Sequence, residues 1–375
     1  MTAPADHTES IAEALDRMHP ELAVVRDLGG GPVYLVGGAV RDLLLGRGRA
    51  DIDLVVEGDA AALASELGAD VTSHERFGTA KLWLDGHDVD VATARTESYP
   101  HPGALPAVDS ATLTEDLRRR DFTINAMAIP LHGEPRLIDP HGGQSDLAAK
   151  RLRVLHPRSF EDDPTRAIRA ARYAARFGFE LEPETAGLLR GADLGTVSKD
   201  RREAELLRLA GEPSAPEGYR LLADWGLVEL RAGGVELARR VGELLEQPLW
   251  ELAAERNRVV HAAATGAPSG EVEIAAADPA SPSEAVALVT AYSAIEMVLA
   301  RAHGARWLDD YREKWSQVQL DIDGNDLIAA GVTEGIAVGR GLAEAKRRKL
   351  DGEIDGREQE LEVALEVAGE HDGVA

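Results

Sequence analysis

Along residues 8–27 the apolar positions Ile11, Leu15, Met18, Leu22 and Val25 recur at helical spacing. This predicts one amphipathic N-terminal helix, ended by the glycines at 29–31. From Pro32 to about Pro140 the pattern changes. Apolar runs become short: "VYLVG", "DIDLVV", "KLWLDG", "DVDVATA", "AMAIPL" and "RLIDP", with helical stretches between them. The alternation predicts one central sheet in a mixed α/β region, with a hairpin turn at "LHGEP" (131–135). After about residue 141 the strands nearly stop. Alanine- and leucine-rich helical periodicity takes over, punctuated by Gly/Pro stretches at 211–218, 265–270 and 277–284. The fold class read from this pattern is α+β, an α/β head followed by a long helical region.

Composition adds boundaries. A chain of 375 residues can bury two or more proper cores. It has no cysteine, which excludes disulfides and thiolate metal sites and suits a reducing compartment. The start, "MTAPADHTES", is unlike a signal peptide, and no apolar run is long enough to span a bilayer. The expectation is a soluble, cytoplasmic protein with no membrane partner. The formal net charge of −25 argues against indiscriminate nucleic-acid binding. Any polyanionic partner would have to meet a concentrated local basic surface.

The candidate chemistry begins at residues 33–56, "VYLVGGAVRDLLLGRGRADIDLVV". A strand ends at Gly37-Gly38, a helix begins near Ala39, and a second strand opens at Asp51. Glycines let backbone approach a ligand, and the helix N-terminus offers free N–H groups to phosphate. Within a strand, Asp51 and Asp53 would project from one side, about 6.6 Å apart. Two carboxylates so spaced can share Mg²⁺, although an isolated D-x-D is equally a solvated strand-edge pair. Asp90, preferred over Asp88, could complete the metal shell from "DVDVATAR"; a solvated strand face is the alternative. The ATPase phosphate loop is absent, since there is no G-K-[ST], and Val56 stands where an EF-hand needs glycine.

Two more stretches carry charge in a purposeful pattern. In "LRRRDFTINAMAI" (117–129) three arginines end a short helix that Thr112 opens, with Glu115 completing a capping box. In "EDDPTRAIRAARYAARFGF" (161–179) Pro164 starts a helix and Asp163 is its natural N-cap. Arg166, Arg169, Arg172 and Arg176 fall in one stripe, opposite Ala167, Ile168, Ala171, Ala174 and Ala175. Four cations on one face repel, so something anionic should lie against them; a salt-bridged surface helix is the other reading.

"GGAVRDLLLGRGRADIDL" closely resembles the first motif of the class II tRNA nucleotidyltransferases, the CCA-adding enzymes and bacterial poly(A) polymerases of the polymerase-β-type superfamily. "LRRRDFTINAMAI" is nearly letter for letter the family's second motif. The third, usually Glu-Asp-x-x-Arg, here reads Asp162-Asp163-x-x-Arg166; the shorter Asp162 departs from the pattern. The likeness is good over residues 31–230 and loose beyond, chiefly in 323–342. There is no H…HD phosphohydrolase pattern.

The resemblance implies a domain order of N-terminal helix (1–30), polymerase-β-type nucleotidyltransferase head (31–140), and all-helical neck (141–210), body (211–310) and tail (311–375). It implies catalysis by Asp51 and Asp53 with Mg²⁺, and a triphosphate cradled by Gly38, Arg41 and Arg120. Asp121 would meet a ribose hydroxyl. Asp163 and Arg166 would read the base, with Arg169 and Arg172 assisting. C and A both present an amino donor beside a ring-nitrogen acceptor, so a carboxylate and a guanidinium can hold these two and reject G and U. The partners implied are the tRNA 3′ end, CTP and ATP, with the acceptor arm on the helical body. Full CCA addition competes with CC-only, A-only and poly(A) addition. The segment 95–113, where the family's flexible loop switches specificity, is not deleted, which disfavours the CC-only form; the long basic extension of poly(A) polymerases is missing. An inactive RNA-binding relative or a small-molecule nucleotidyltransferase are the readings from other classes.

Overall fold

The computed structural model of the chain describes residues 10–372 apart from 27–30, 49–50, 68–71, 75–77 and 267–269. It divides into two compact units, residues 1–209 with 220–227, and 210–219 with 228–375.

The first unit opens with two short helices rather than the single one expected. α1 (Ile11–Met18) and α2 (Ala23–Arg26) are separated by a 3₁₀ turn over Pro20–Leu22. Pro20 has no N–H to continue the helical ladder and its ring crowds the preceding turn, so the chain breaks at His19. Leu15, Met18, Leu22 and Val25 nevertheless all reach the core, as their spacing predicts. Ser10 and Glu13 close a capping box that fixes where α1 starts.

The sheet has six strands. β1 (Val33–Val36) leads into α3 (Gly38–Leu44), and β2 (Ile52–Val56) into α4 (Ala60–Glu66), which Asp59 caps through the N–H groups of Ala61 and Ala62. β3 (Thr72–His74), β4 (Thr79–Leu84) and β5 (His87–Thr93) follow. The chain then forms a separate antiparallel hairpin, β6 (Arg95–Ser98) with β7 (Ala107–Ser110), before returning as β8 (Ala128–Pro130). The strand order is β3-β4-β5-β2-β1-β8, with β2 and β5 parallel and the other neighbours antiparallel. "RLIDP" is not a strand: Ile138 makes a single bridge to Ala128.

Period-two alternation sorts β2 between two cores. Ile52, Leu54 and Val56 enter the larger, with Leu15, Leu35 and Val40. Val55 enters a smaller one with Val36, Leu113 and Leu117. Each such buried side chain is worth roughly 1.5–3 kcal/mol. Burial on both faces locks the register of β2, and with it the face from which Asp53 projects.

α5 (Leu113–Arg118), α6 (Gly143–Ala148), α7 (Ser159–Asp162), α8 (Thr165–Phe177), α9 (Pro183–Leu189) and α10 (Lys199–Ala210) continue the chain. A two-residue parallel pair, β9 (Arg151–Leu152) with β10 (Glu180–Leu181), brackets α8. The second unit is helical among its described residues. Its C-terminal helices, Ile336–Leu350 and Arg357–Asp372, meet at Gly341, where a Cβ would come within 2.4 Å of the Ala364 carbonyl oxygen. That glycine does the work of close helix packing. No helix among the described residues is long and apolar enough to cross a membrane.

Candidate active site

Gly37 turns β1 into α3 with a φ of 70°, a left-handed conformation that favours glycine. Space demands glycine as well: a Cβ would lie 2.9 Å from Arg120 Nη1 and 3.5 Å from Asp53 Oδ2. The glycine turn, the second motif's arginine and the D-x-D therefore meet at one point. This point forms part of a cavity of about 710 Å³ in the first unit, lined by Gly38, Arg41, Asp51, Asp53, Arg120, Asp121, Asp163, Arg166, Arg169 and Arg172 among others. Of the residues predicted from the sequence, only Asp90 lies outside it. Asp90 instead shares a second, adjoining cavity with Asp53.

Asp53 stands beside Asp90 in the parallel register of β2 and β5, and Asp90 stands beside Lys81 of β4. Asp51 departs from the sequence expectation. β2 begins at Ile52, so Asp51 is an exposed residue just ahead of the strand rather than its first member. The carboxyl of Asp53 titrates at about 6, well above the usual carboxylate range. Burial is the main cause, and the charges of Asp90 and Asp51 add to it, while Arg120 and Lys81 pull the other way. A divalent cation would relieve that crowding. Among the described residues no group of three or more His, Asp or Glu forms a closed cage. Asp51 and Asp53 would offer an open set of carboxylate oxygens, which suits Mg²⁺, an ion that keeps waters and substrate oxygens among its ligands.

The cavity's cations are held by buried acids. Asp116 is fully buried in α5 and takes both neighbours: Arg119 at 2.6 Å and Arg120 at 2.9 Å. Burial opposes its charge, but Arg120 and Arg119 outweigh it and keep the carboxyl below its ordinary value. Glu97 of β6 holds Arg119 from the other side at 2.7 Å. Arg41 is buried, bonded to Asp42 (2.8 Å) and Asn125 (2.7 Å), with its guanidinium 4.6 Å from the centre of the Phe177 ring. Asp116 was legible in principle, three and four residues ahead of Arg119 and Arg120 at the C-terminal end of α5. Its burial, which gives the triad its rigidity, was not.

The α8 stripe lines the same cavity. The chain's own acids face it: Arg169 is 3.0 Å from Asp163 and 3.4 Å from Asp121, Arg172 is 3.9 Å from Glu205, and Arg176 is 3.7 Å from Asp42. Burial works against the charge of Arg169, but Asp121, Asp163 and Glu205 together hold its pKa above the ordinary value. Asp163 accepts from the Thr165 N–H at 3.1 Å, the capping bond expected, although regular helix starts one residue later than predicted, at Thr165. Its remaining partners are the Thr165 hydroxyl, Arg169 and Arg201. Arg166 donates to Ser159 Oγ (2.6 Å) and the Arg119 carbonyl (2.7 Å), leaving its buried Nε without a hydrogen bond among the described residues. Asp163 and Arg166 thus line one cavity without bonding each other. Asp162 pairs with Arg158 at 3.0 Å and does not line this cavity.

Arg201, which the sequence reading missed, ties Asp163 (3.2 Å) to the Gly103 carbonyl (2.8 Å). It joins α10 to the β6–β7 connection, the segment expected to act as a flexible loop.

Residues 33–153 match the poly(A) polymerase head domain family. A CC-adding tRNA nucleotidyltransferase of Deinococcus radiodurans is 36% identical over 344 residues, 87% of this chain and 87% of that protein. The chain belongs to the tRNA nucleotidyltransferase family. An A-adding member from Geobacter sulfurreducens is 48% identical over 186 residues, 46% of this chain but only 21% of that longer protein. Among solved structures, the Thermotoga maritima CCA-adding enzyme complexed with tRNA has a TM-score of 0.70 at 28% identity, covering 96% of this chain and 98% of its own. Members of the polymerase-β-type nucleotidyltransferases typically use a divalent metal, in keeping with the open carboxylate pair.

Proposed function

We propose that this protein adds C and A residues to the 3′ end of tRNA from CTP and ATP, without a nucleic-acid template. What supports the reading is a single cavity whose lining carries both kinds of group the reaction needs. The Gly37–Gly38 backbone, Arg41 and Arg120 would serve a triphosphate, and Asp121, Asp163, Arg166, Arg169 and Arg172 a ribose and base.

Asp51 and Asp53, with Asp90 adjacent to Asp53, would hold Mg²⁺, which supplies charge stabilisation at the phosphates and acidifies the attacking hydroxyl. The RNA 3′ oxygen forms its bond to the α-phosphorus as the bond to the β-phosphate oxygen breaks, and pyrophosphate leaves. Arg120, fixed by Asp116, keeps a donor turned toward the glycine turn, where charge builds on the phosphates. Asp163 Oδ1 accepts from Thr165 and Arg201, while Oδ2 accepts from Arg169 alone among the described residues. A carboxylate oxygen has two lone pairs, so a base's amino group would donate to Oδ2 beside Arg169.

A CC-only enzyme is the second reading, favoured by the relative that covers 87% of this chain. Incubating the protein with tRNA ending at the discriminator base, at –C, or at –CC, each with labelled CTP or ATP alone, separates the two. A full CCA enzyme adds A to the –CC substrate; a CC-only enzyme adds C to the first two and nothing to the third. No incorporation into any of the three would overturn both.

A further inference from the structure

The second cavity, about 430 Å³, adjoins the first and is floored by the face of the sheet that carries Asp53. Its floor is laid down by register. Lys81, Asp90 and Asp53 form one row across β4, β5 and β2, and Thr79, Ala92 and Val55 form the next. Arg95, Arg119 and Arg120 close the other side. The two cavities therefore share Asp53, Arg95, Arg119 and Arg120.

Their linings differ. The first is crowded with cations and has the glycine turn; the second has a small floor with one lysine beside the two acids Asp53 and Asp90. The three arginines that close the second are committed to buried acids: Arg119 and Arg120 to Asp116, Arg95 to Glu97. Lys81 is different. Its side chain is 63% exposed and stands 3.4 Å from a half-exposed Asp90. Two residues further along β4, on the same face, Trp83 is 64% exposed, one of few large apolar side chains so open to water.

We propose that this sheet face seats the 3′-terminal nucleotides of the RNA, with Lys81 on a backbone phosphate and Trp83 stacked against a base. The inference rests on the nucleotidyl-transfer reading above, and assigns it a second substrate subsite. In-line transfer requires the attacking oxygen to come from the side opposite the departing pyrophosphate. The two cavities meet at Asp53, so a triphosphate in the first leaves the second as the side of attack. An exposed lysine, paired with Asp90 alone among the described residues, suits a strand with one phosphate per nucleotide rather than three on one ribose. An exposed indole beside it suits an unpaired base, for which stacking is the sequence-tolerant mode of recognition.

The test uses the full-length protein and tRNA ending at the discriminator base. Lys81→Met and Trp83→Ala should each raise the KM for tRNA about tenfold, while the Kd for CTP or ATP, measured without tRNA, stays within twofold of wild type. Independently of activity, tRNA should quench tryptophan fluorescence in the wild type, and Trp83→Phe should remove most of that quench. Unchanged tRNA KM in both variants, weakened CTP or ATP binding in either, or a quench that survives Trp83→Phe would each overturn the seat. Absence of nucleotide addition by the wild type would instead overturn the reading it rests on, and the quench would still decide whether RNA lies on this face.

Discussion

Two carboxylates in this molecule have the same local sequence relationship to a pair of arginines. Asp116 in the first unit binds Arg119 and Arg120, three and four residues on; Glu344 in the second binds Arg347 and Arg348 with the same offsets. Contact distances are alike, between 2.6 and 2.9 Å. Burial is not. Asp116 has no exposed surface and its arginines keep 18% and 15% of theirs, whereas Glu344 is 26% exposed and its partners 41% and 31%. Arg347 also reaches Asp351 and Glu353, so its charge is met several times over. The spacing creates a pair in both places, but only removal from water turns it into a rigid support that can aim a cation at a ligand.

The largest effect expected in the first unit comes from Asp53, the acid that Arg120 faces. Asp53→Asn should lower nucleotide incorporation by about 10³-fold or more, since metal-held charge stabilisation is worth several kcal/mol and each 1.36 kcal/mol is tenfold. The same change should stabilise the metal-free protein. Asp53 binds its proton more tightly when folded, at about 6, than at the ordinary aspartate value of 3.8. Stability from this group is thus complete below about pH 4 and lost as pH rises through 6, by about 3 kcal/mol at most. In chelator, Asp53→Asn should melt above wild type at pH 7.5 and alongside it at pH 4. Equal melting at both values would mean that burial and the neighbouring acids do not disfavour the charged form of Asp53.

Next in size is the buried triad itself. Asp116→Asn keeps the shape but removes the charge that fixes Arg119 and Arg120. Affinity for CTP and ATP should fall roughly 10- to 100-fold, about 1.4–2.8 kcal/mol. Stability should fall as well, because two cations lose their buried partner. The decisive readout is their ratio: if nucleotide binding is unchanged while the protein melts lower, Asp116 holds the fold and not the site.

The same contrast explains what could be read from the chain. Gly37, Asp53, Arg120 and Asp163 were legible because their motifs are local, and each lines the expected cavity. Most strands of the head followed from period-two alternation, except where polar residues hid them: β3, "TSH", and the β6–β7 hairpin, "RTES" with "AVDS", have almost no apolar alternation to see. Arg41 was expected to serve a phosphate on motif alone. The rings of Tyr173 and Phe177 against it, contributed by α8 more than 130 residues away, are tertiary information. Asp116 and Arg201 escaped for the same reason. Each is an ordinary charged helix residue until the fold buries or bridges it.

The smallest effect should come from the second unit. Glu344→Gln breaks the exposed counterpart of the Asp116 triad, and Arg347 keeps Asp351 and Glu353 as alternatives. Exposed ion pairs contribute about 0.2–1 kcal/mol, so the melting temperature should fall by no more than about 2–4 °C. The carboxyl of Glu344 titrates at about 2, drawn down by its hydrogen bonds to Arg347 and Arg348. That shift does not translate into stability, because water screens the pair in the folded protein and solvates each ion when it opens. A loss from Glu344→Gln as large as that from Asp116→Asn would break the comparison, since two triads of equal spacing would then be equally strong regardless of burial. A small loss, with CTP binding untouched, would locate the difference between a surface ion pair and a ligand-aiming one in desolvation.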